Sequence, residues 1–309
     1  METTSRTDDD DDTSRLNTFV QNAIKNPDAV YRTAFYIGTF GFLVSTLFPF
    51  YWLSVLALTP QDALYGLGLT PNGFNPEVFL LIFQQAPLHR YMFNSIVLSV
   101  LTTVIVLLVA SVTGYVFGRL DFPGKIPIML GILAISYFPP AAFLIPLFEL
   151  FTGNTSLLGL SSPNIFNTPG SIVIPFSALF MPLSIFILTT FYGQIPDGLE
   201  DAARVEGSTR LGALFRVIIP LSAPGVATAG VLTFIFSYNE FFFSFLMNNG
   251  QPENWAPLVH GILSYQTQYE QLYNFMAAAS LVGVIPVAIL VVVAQEQIIS
   301  GLTSGALKE

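Results

Sequence analysis

The sequence predicts an all-α integral membrane protein with six transmembrane helices, cytoplasmic N- and C-termini, and a polar helix-turn-helix loop between the fourth and fifth helices, also on the cytoplasmic side. Three observations lead there. Of 309 residues, 52% are hydrophobic and only 10% charged, whereas about a quarter of an ordinary soluble domain is charged. Six apolar runs are each long enough to cross a bilayer core, which takes about 20 helical residues at about 1.5 Å each. With the N-terminus inside, ten of the eleven lysines and arginines fall on the inner side and Arg90 alone falls outside, which is the positive-inside bias.

In chain order, residues 1–32 read as an acidic, disordered cytoplasmic tail, because the aspartate run from Asp8 to Asp12 repels itself and has nothing apolar to bury. The tail has no positive start and no small-residue cleavage site, so it is not expected to be a signal peptide. Together with a net charge of −9 it fits a surface kept hydrated in high salt, and hence a prokaryote, specifically a halophilic archaeon. Residues 33–309 form one transmembrane domain with spans at 33–58, 93–118, 126–151, 170–192, 226–247 and 275–299. The outer loop 59–92 is rich in turn formers. Its apolar stretch 78–83 is too short to cross and is expected along the interface or on another subunit. Prolines 49, 139, 140, 146, 175, 182 and 286 fall inside spans, where neighbouring helices or a cavity must satisfy the carbonyls they free.

Composition also excludes. There is no cysteine, and the two histidines, His89 and His260, are far apart and outside the spans, so neither a metal site nor a bound cofactor is expected. The segment GKIP at 124–127 lacks the glycine-rich lead and the Ser or Thr of a phosphate loop. Any ATP must be bound and hydrolysed by a partner, and the chain itself is not expected to be an enzyme. Glu149 and Glu240 lie on different spans with no histidine near them, which leaves no acid–base set. Nucleic acid is not expected as a partner; the lipid bilayer is.

The polar exception is the loop 193–221, which contains LEDAARVEGSTRLGALFRVIIP. Residues 199–206 are helix formers, with Glu200 four residues before Arg204, a favourable pair. Gly207 offers the left-handed turn that ends a helix, and Ser208 is placed to cap the next one. Leu211, Leu214, Phe215 and Ile218 then make an apolar stripe at i, i+3, i+4, i+7. Ala202, Ala203 and Gly207 leave a smooth surface that another protein can approach, so the loop reads as a docking knob or, failing that, as an amphipathic segment lying on the membrane. Within the spans, Glu240 beside Asn239 and Tyr238, and flanked by Phe241, Phe242 and Phe243, offers the mixture of aromatic faces and hydrogen-bonding groups that suits a sugar. The same residues could instead cap a broken helix. Asn94 and Ser95, at the outer start of the second span, are further candidates for a substrate path. A buried Glu240 would also be the coupling carboxylate of an ion-driven secondary transporter.

The stretch IPDGLEDAARVEGSTRLGALFRVIIPLSAPG resembles the EAA loop of ATP-binding-cassette (ABC) importer permeases. It matches at Asp201-Ala202-Ala203, Gly207 and Pro220, with Asp201 standing for the usual Glu, Glu206 for Asp and Ser208 for Ala. FNSIVLSV (93–100), GYVFGRLDFPGK (114–125), SYNEFFFSFLM (237–247, with Tyr238 for Trp) and the tail GLTSGALKE (301–309, with Glu309 for Gly) are similar to the carbohydrate-uptake branch, specifically its maltose-type second permease. Glu296 and Gln297 occupy the region where that branch carries a basic residue. The resemblance implies a permease of the cell membrane that carries a sugar or related polyol by alternating access. Its partners would be a second homologous permease, two cytoplasmic ABC ATPase subunits and an extracellular solute-binding protein. Glu200, Asp201, Ala202, Ala203, Glu206 and Gly207 would couple it to the ATPase.

Overall fold

The computed structural model describes residues 27–157, 160–266 and 271–304, with the backbone alone at 157 and from 297 onward. The chain divides into two compact units, the second beginning at Leu56. The first unit is nearly all of α1, Pro27–Leu58. Proline at its first position and Asp28 in its first turn suit a helix start, so the helix begins ahead of the apolar run at 33. Its large apolar side chains, among them Phe35, Phe42 and Leu47, stand exposed all round, as on a helix whose solvent is lipid. Residues 1–26, most of the acidic tail, lie outside the described residues.

The second unit is a helical bundle. Its elements are α2 (Val78–Gln85), α3 (Leu88–Arg119), α4 (Lys125–Ser136), α5 (Leu144–Phe151), α6 (Pro169–Tyr192), α7 (Asp197–Val205), α8 (Arg210–Leu221), α9 (Ala223–Tyr238), α10 (Phe242–Leu246), α11 (Leu258–Leu263) and α12 (Tyr273–Ser304). A two-stranded antiparallel ribbon, β1 (Ser156–Leu157) with β2 (Leu160–Ser161), follows α5. By length and apolarity, α1, α3, α6 and the Tyr273–Glu296 part of α12 can each cross a membrane, and two bent helix pairs raise that to six.

Two expected spans are broken rather than continuous. The segment 126–151 turns by 85° between α4 and the helical stretch that follows it. Pro139 and Pro140 withhold two backbone donors there and push Phe138 away from helical geometry. The segment 226–247 stops at Tyr238 and restarts at Phe242. Ahead of it, α8 meets α9 at 84°, where Pro220 and Pro224 flank Ser222. The stretch 78–83 lies in α2, which packs on α12 of its own chain. Val78 and Ile82 are fully buried, and the Tyr265 hydroxyl donates to the Ile82 carbonyl.

The most extensive helix pairing of the second unit is α3 on α6, and glycine makes it possible. A Cβ on Gly114 would lie 2.9 Å from the Leu188 Cβ, and one on Gly118 would lie 2.9 Å from the Thr189 carbonyl oxygen. With little hydrophobic drive between helices in lipid, such backbone approach is what holds them together. Around it gather Ala110, Tyr115, Phe117, Ile185, Leu188, Tyr192, Leu214, Ile218 and Ala229, a core at the end of the bundle nearest the polar loop. A second core at the other end joins Leu98, Phe151, Ile172, Phe176, Phe243 and Met247. Ser184 and Thr233 share a buried hydroxyl hydrogen bond of 3.0 Å between α6 and α9, and the Tyr238 hydroxyl donates to the Gly283 carbonyl at 2.9 Å, joining α9 to α12.

Gly118→Val is expected to force α3 and α6 apart at a cost of roughly 1–3 kcal/mol, the usual penalty for overpacking. Gly131→Val, where a Cβ would meet nothing within 4 Å, should change little. Apparent melting temperatures of the two variants in detergent check the difference.

Candidate functional site

The polar loop folds as a hairpin of α7 and α8 around Gly207, whose φ of +93° is the left-handed conformation expected there. The turn closes with Ser208 N donating to the Ala203 carbonyl at 2.9 Å and Gly207 N to that of Arg204 at 3.0 Å, the crossed pattern that satisfies helix-end carbonyls. The cap of the next helix is Thr209 rather than Ser208: its Oγ1 accepts from Gly212 N at 3.0 Å. The expected stripe is also divided. Residues Leu214–Ile218 form a π-helical turn, whose extra residue per turn rotates side chains off the α-helical register. Leu214 and Ile218 are fully buried in the core, while Leu211 and Phe215 stand half exposed.

Glu200 does not pair with Arg204. It turns inward, only 7% exposed, and both carboxylate oxygens are engaged from α3: Oε1 accepts from the Tyr115 hydroxyl and Oε2 from Arg119 Nε at 3.0 Å. The Arg119 side chain is 4% exposed, and its two remaining nitrogens reach the Asp197 carboxylate, 2.9 Å from Nη2, and the Ile195 carbonyl. A planar guanidinium with fixed donor directions suits such a many-sided grip. Tyr115 and Arg119 are therefore site residues that sequence reasoning missed. Arg204 instead sits 3.7 Å from Asp201 on the outer face.

With Glu200 turned in, the rest of the proposed docking set turns out. Asp201, Ala202, Glu206 and Gly207 are exposed and Ala203 is half-buried. Val205 adds an apolar side chain 88% exposed at the tip, a residue the sequence reading did not single out.

The other candidate residues lie elsewhere. At the break between α9 and α10, Glu240 caps the N-terminus of α10: its carboxylate accepts from the backbone N–H of Phe242 at 2.7 Å, Phe243 at 3.1 Å and Ser244 at 3.2 Å. Asn239 is exposed and its Nδ2 donates back to the Ile235 carbonyl. Tyr238 is buried. Phe241 and Phe242 are exposed beside them, and Phe241, Phe245 and His260 stack in sequence with centroids 5.5 and 5.8 Å apart. His260, in α11, is held below the usual imidazole range by burial. Among the described residues, no three acidic or histidine side chains converge as a metal ion would require.

Asn94 and Ser95 are buried near the far end of α3 and hold a loop. Asn94 Nδ2 donates to the carbonyls of Pro252 and Ala256 at 2.8 and 2.9 Å, Ser95 Oγ accepts from Leu258 N at 2.7 Å, and the Tyr91 hydroxyl donates to the Gly250 carbonyl. These bonds hold Trp255 at a φ of +65°, an uncommon backbone state for a bulky residue. A cleft of about 560 Å³ opens there between His89, Arg90, Phe93, Glu253 and Trp255.

Fold and site thus define a multi-pass helical membrane protein that presents a rigidly anchored polar hairpin at one end of its bundle. Residues 110–302 match the family described as binding-protein-dependent transport system inner membrane component, and the chain belongs to that family. It is 35% identical over 268 residues to the sulfoquinovosyl glycerol transport system permease protein of Agrobacterium fabrum, covering 86% of this chain and 90% of that one. It is 32% identical to the trehalose transport system permease protein of Mycobacterium tuberculosis, covering 85% and 92%. Its fold is that of a chain in a bacterial ABC transporter for import of the acidic polysaccharide alginate, at a TM-score of 0.67 over 96% of this chain and 99% of that one, with 18% identity.

Asn94→Ala removes hydrogen bonds from the part-buried Pro252 carbonyl and the buried Ala256 carbonyl and is expected to loosen the 252–256 turn by about 1–3 kcal/mol. Hydrogen exchange should rise over that turn and stay unchanged in the hairpin.

Proposed function

We propose that this chain is one of two membrane-spanning subunits of an ATP-driven importer, carrying a sugar or related polyol by alternating access. The observation that carries the reading is the knuckle Asp201–Gly207, exposed along its outer face and fixed from behind by a buried ion pair. A surface segment with no docking role has no need of such an anchor. The relatives are permease proteins for sulfoquinovosyl glycerol and for trehalose, which supports a glycosidic or polyol cargo.

In this reading the bent segment 125–151 and the interrupted segment of α9 and α10 complete six crossings, both termini and the hairpin face the cytoplasm, and residues 33–309 form the permease domain behind the acidic tail. That tail and the net acidity fit a high-salt cell. A second homologous permease encloses the path, two cytoplasmic ABC ATPases bind the ATP, and an extracellular solute-binding protein delivers cargo at the end where Asn94 and Ser95 hold the 252–258 loop. Asp201, Ala202, Ala203, Glu206 and Gly207 form the docking surface, the EAA loop of this chain, while Glu200 serves it from behind.

The substrate path is proposed to pass the break at Asn239–Phe241. Interrupted backbone at membrane depth is tolerated only where protein buries it or a water-filled cavity borders it. The exposed Asn239 and the exposed rings of Phe241 and Phe242 make a wall with hydrogen-bonding and apolar parts, suited to a sugar. Glu240 contributes by holding α10 in place. An ion-coupled mechanism through Glu240 is not favoured, because its carboxylate is occupied by three backbone donors, and secondary transport gives the hairpin no task.

Affinity purification from gently extracted membranes, followed by mass spectrometry, tests the assembly. A second polytopic permease and a P-loop ATPase should accompany the chain. No neighbour within 4 Å blocks a side chain at Gly207, so a substitution there acts through backbone strain and the docking surface. Gly207→Val, which resists positive φ at a cost of roughly 1–3 kcal/mol, should lose the ATPase, whereas Gly207→Asn, which tolerates that conformation, should retain more of it. Recovery of the chain without any ATPase would overturn the reading.

A further inference from the structure

The hairpin is not joined to its neighbours in sequence by continuous α-helix. Before it, Gly193–Pro196 leaves the helical path, and after it come the π-helical turn, Pro220 and the 84° bend at Ser222. Besides the burial of Leu214 and Ile218 in the core, it has a polar connection to a segment distant in sequence. Arg119, the last residue of α3, grips Asp197, Glu200 and the Ile195 carbonyl together, and Tyr115 one turn earlier holds the other Glu200 oxygen. Both charges of the Arg119–Glu200 pair are shielded from water, so no solvent is at hand to replace either partner if they separate.

The other end of α3 is equally committed. Tyr91, Asn94 and Ser95 bind the backbone of Gly250, Pro252, Ala256 and Leu258. Between the two grips α3 is one uninterrupted 32-residue helix without an internal proline, about 48 Å long. We infer that α3 is a rod linking the hairpin to the 250–258 loop across the whole bundle, and that Arg119 is the positioning residue that makes it, rather than the helices flanking the hairpin, the element the ATPase moves.

This inference rests on the docking role proposed above and adds a route to it. A coupling claim of this kind needs an element that both ends act upon, and here each end of one helix binds a different functional segment directly. Arg119 touches neither cargo nor nucleotide in this scheme and acts through Glu200.

The test uses the full complex co-purified with its ATPase and reads backbone hydrogen exchange with and without ATP plus vanadate. In the parental chain, trapping should change exchange both in the hairpin, 199–208, and in the loop, 250–258. The informative variant is the neutral pair Arg119→Gln/Glu200→Gln, which removes both charges and so avoids leaving one buried and unpaired. The Glu200→Gln side chain can still accept from the Tyr115 hydroxyl and so keep α7 turned as it is, so this variant should keep the ATPase and the hairpin response but lose the response of the loop. Arg119→Lys, which keeps the charge but reaches fewer acceptors, should give a reduced loop response at unchanged ATPase recovery. It is decisive if the neutral pair fails to assemble.

A loop response of parental size in either variant overturns the rod, as does a parental loop that ignores trapping while the hairpin responds. If no ATPase accompanies the parental chain, the docking reading itself fails and the inference falls with it.

Discussion

The orientation of the polar hairpin is set by one buried interaction, the grip of Tyr115 and Arg119 on Glu200. An arginine withdrawn from water is costly unless its donors are met, and a carboxylate withdrawn beside it must be met as well. Here three guanidinium nitrogens find separate acceptors, and both oxygens of Glu200 find donors. Asp197 is exposed and adds little by itself, since its charge is screened by water. The weight lies on Glu200. Its inward direction fixes the rotation of α7, because side chains follow one another at about 100° around a helix. With position 200 facing the bundle, Asp201, Ala202 and Val205 must face away. The docking surface is thus set by a residue that does not belong to it.

The close contact of α3 with α6 serves the same end. Gly114 and Gly118 bracket Tyr115 and precede Arg119, so the turns that lie flush on α6 are those that carry the anchoring side chains. Backbone approach there brings Arg119 near the Ile195 carbonyl, which sits just beyond the end of α6. Packing places the guanidinium, and its acceptors then place the hairpin. A wider α3–α6 spacing would leave a buried cation short of partners, so the small residues and the ion pair stand or fall together.

Much of this was legible in the sequence, and the rest was hidden for physical reasons. Composition and the long apolar runs indicate a membrane bundle because they depend on residue type alone. Gly207 was legible as a helix end because so few residues adopt its backbone conformation. The partner of Glu200 was not: Arg204 is a reasonable i+4 neighbour, whereas Arg119 lies 81 residues away and meets Glu200 only once α3 and α6 have packed. The cap at Thr209 and the π-helical turn shift the second helix by a residue, a difference periodicity cannot resolve. The prolines at 139 and 140 were visible, yet whether they kink a span or break it depends on what surrounds the freed carbonyls. Asn94 and Ser95 were singled out for their polarity within an oily helix, and that polarity is committed to a loop 158 or more residues distant.

Glu240 shows how such commitments bear on mechanism. A carboxylate deep in a membrane protein invites an ion-coupling role, because exposing it to lipid is so unfavourable. A relay must exchange its partners, however, and this one accepts three backbone N–H groups at the start of a helix, where the macrodipole also favours negative charge. Releasing those donors would strip the cap from α10 and loosen the core that Phe243 and Met247 share with α6. The group is better placed to hold a break open than to carry charge across it. With the carboxylates at positions 200 and 240 both committed in this way, neither is free to carry charge, and the exposed knuckle beyond Glu200 is where a second polypeptide could apply a driving force.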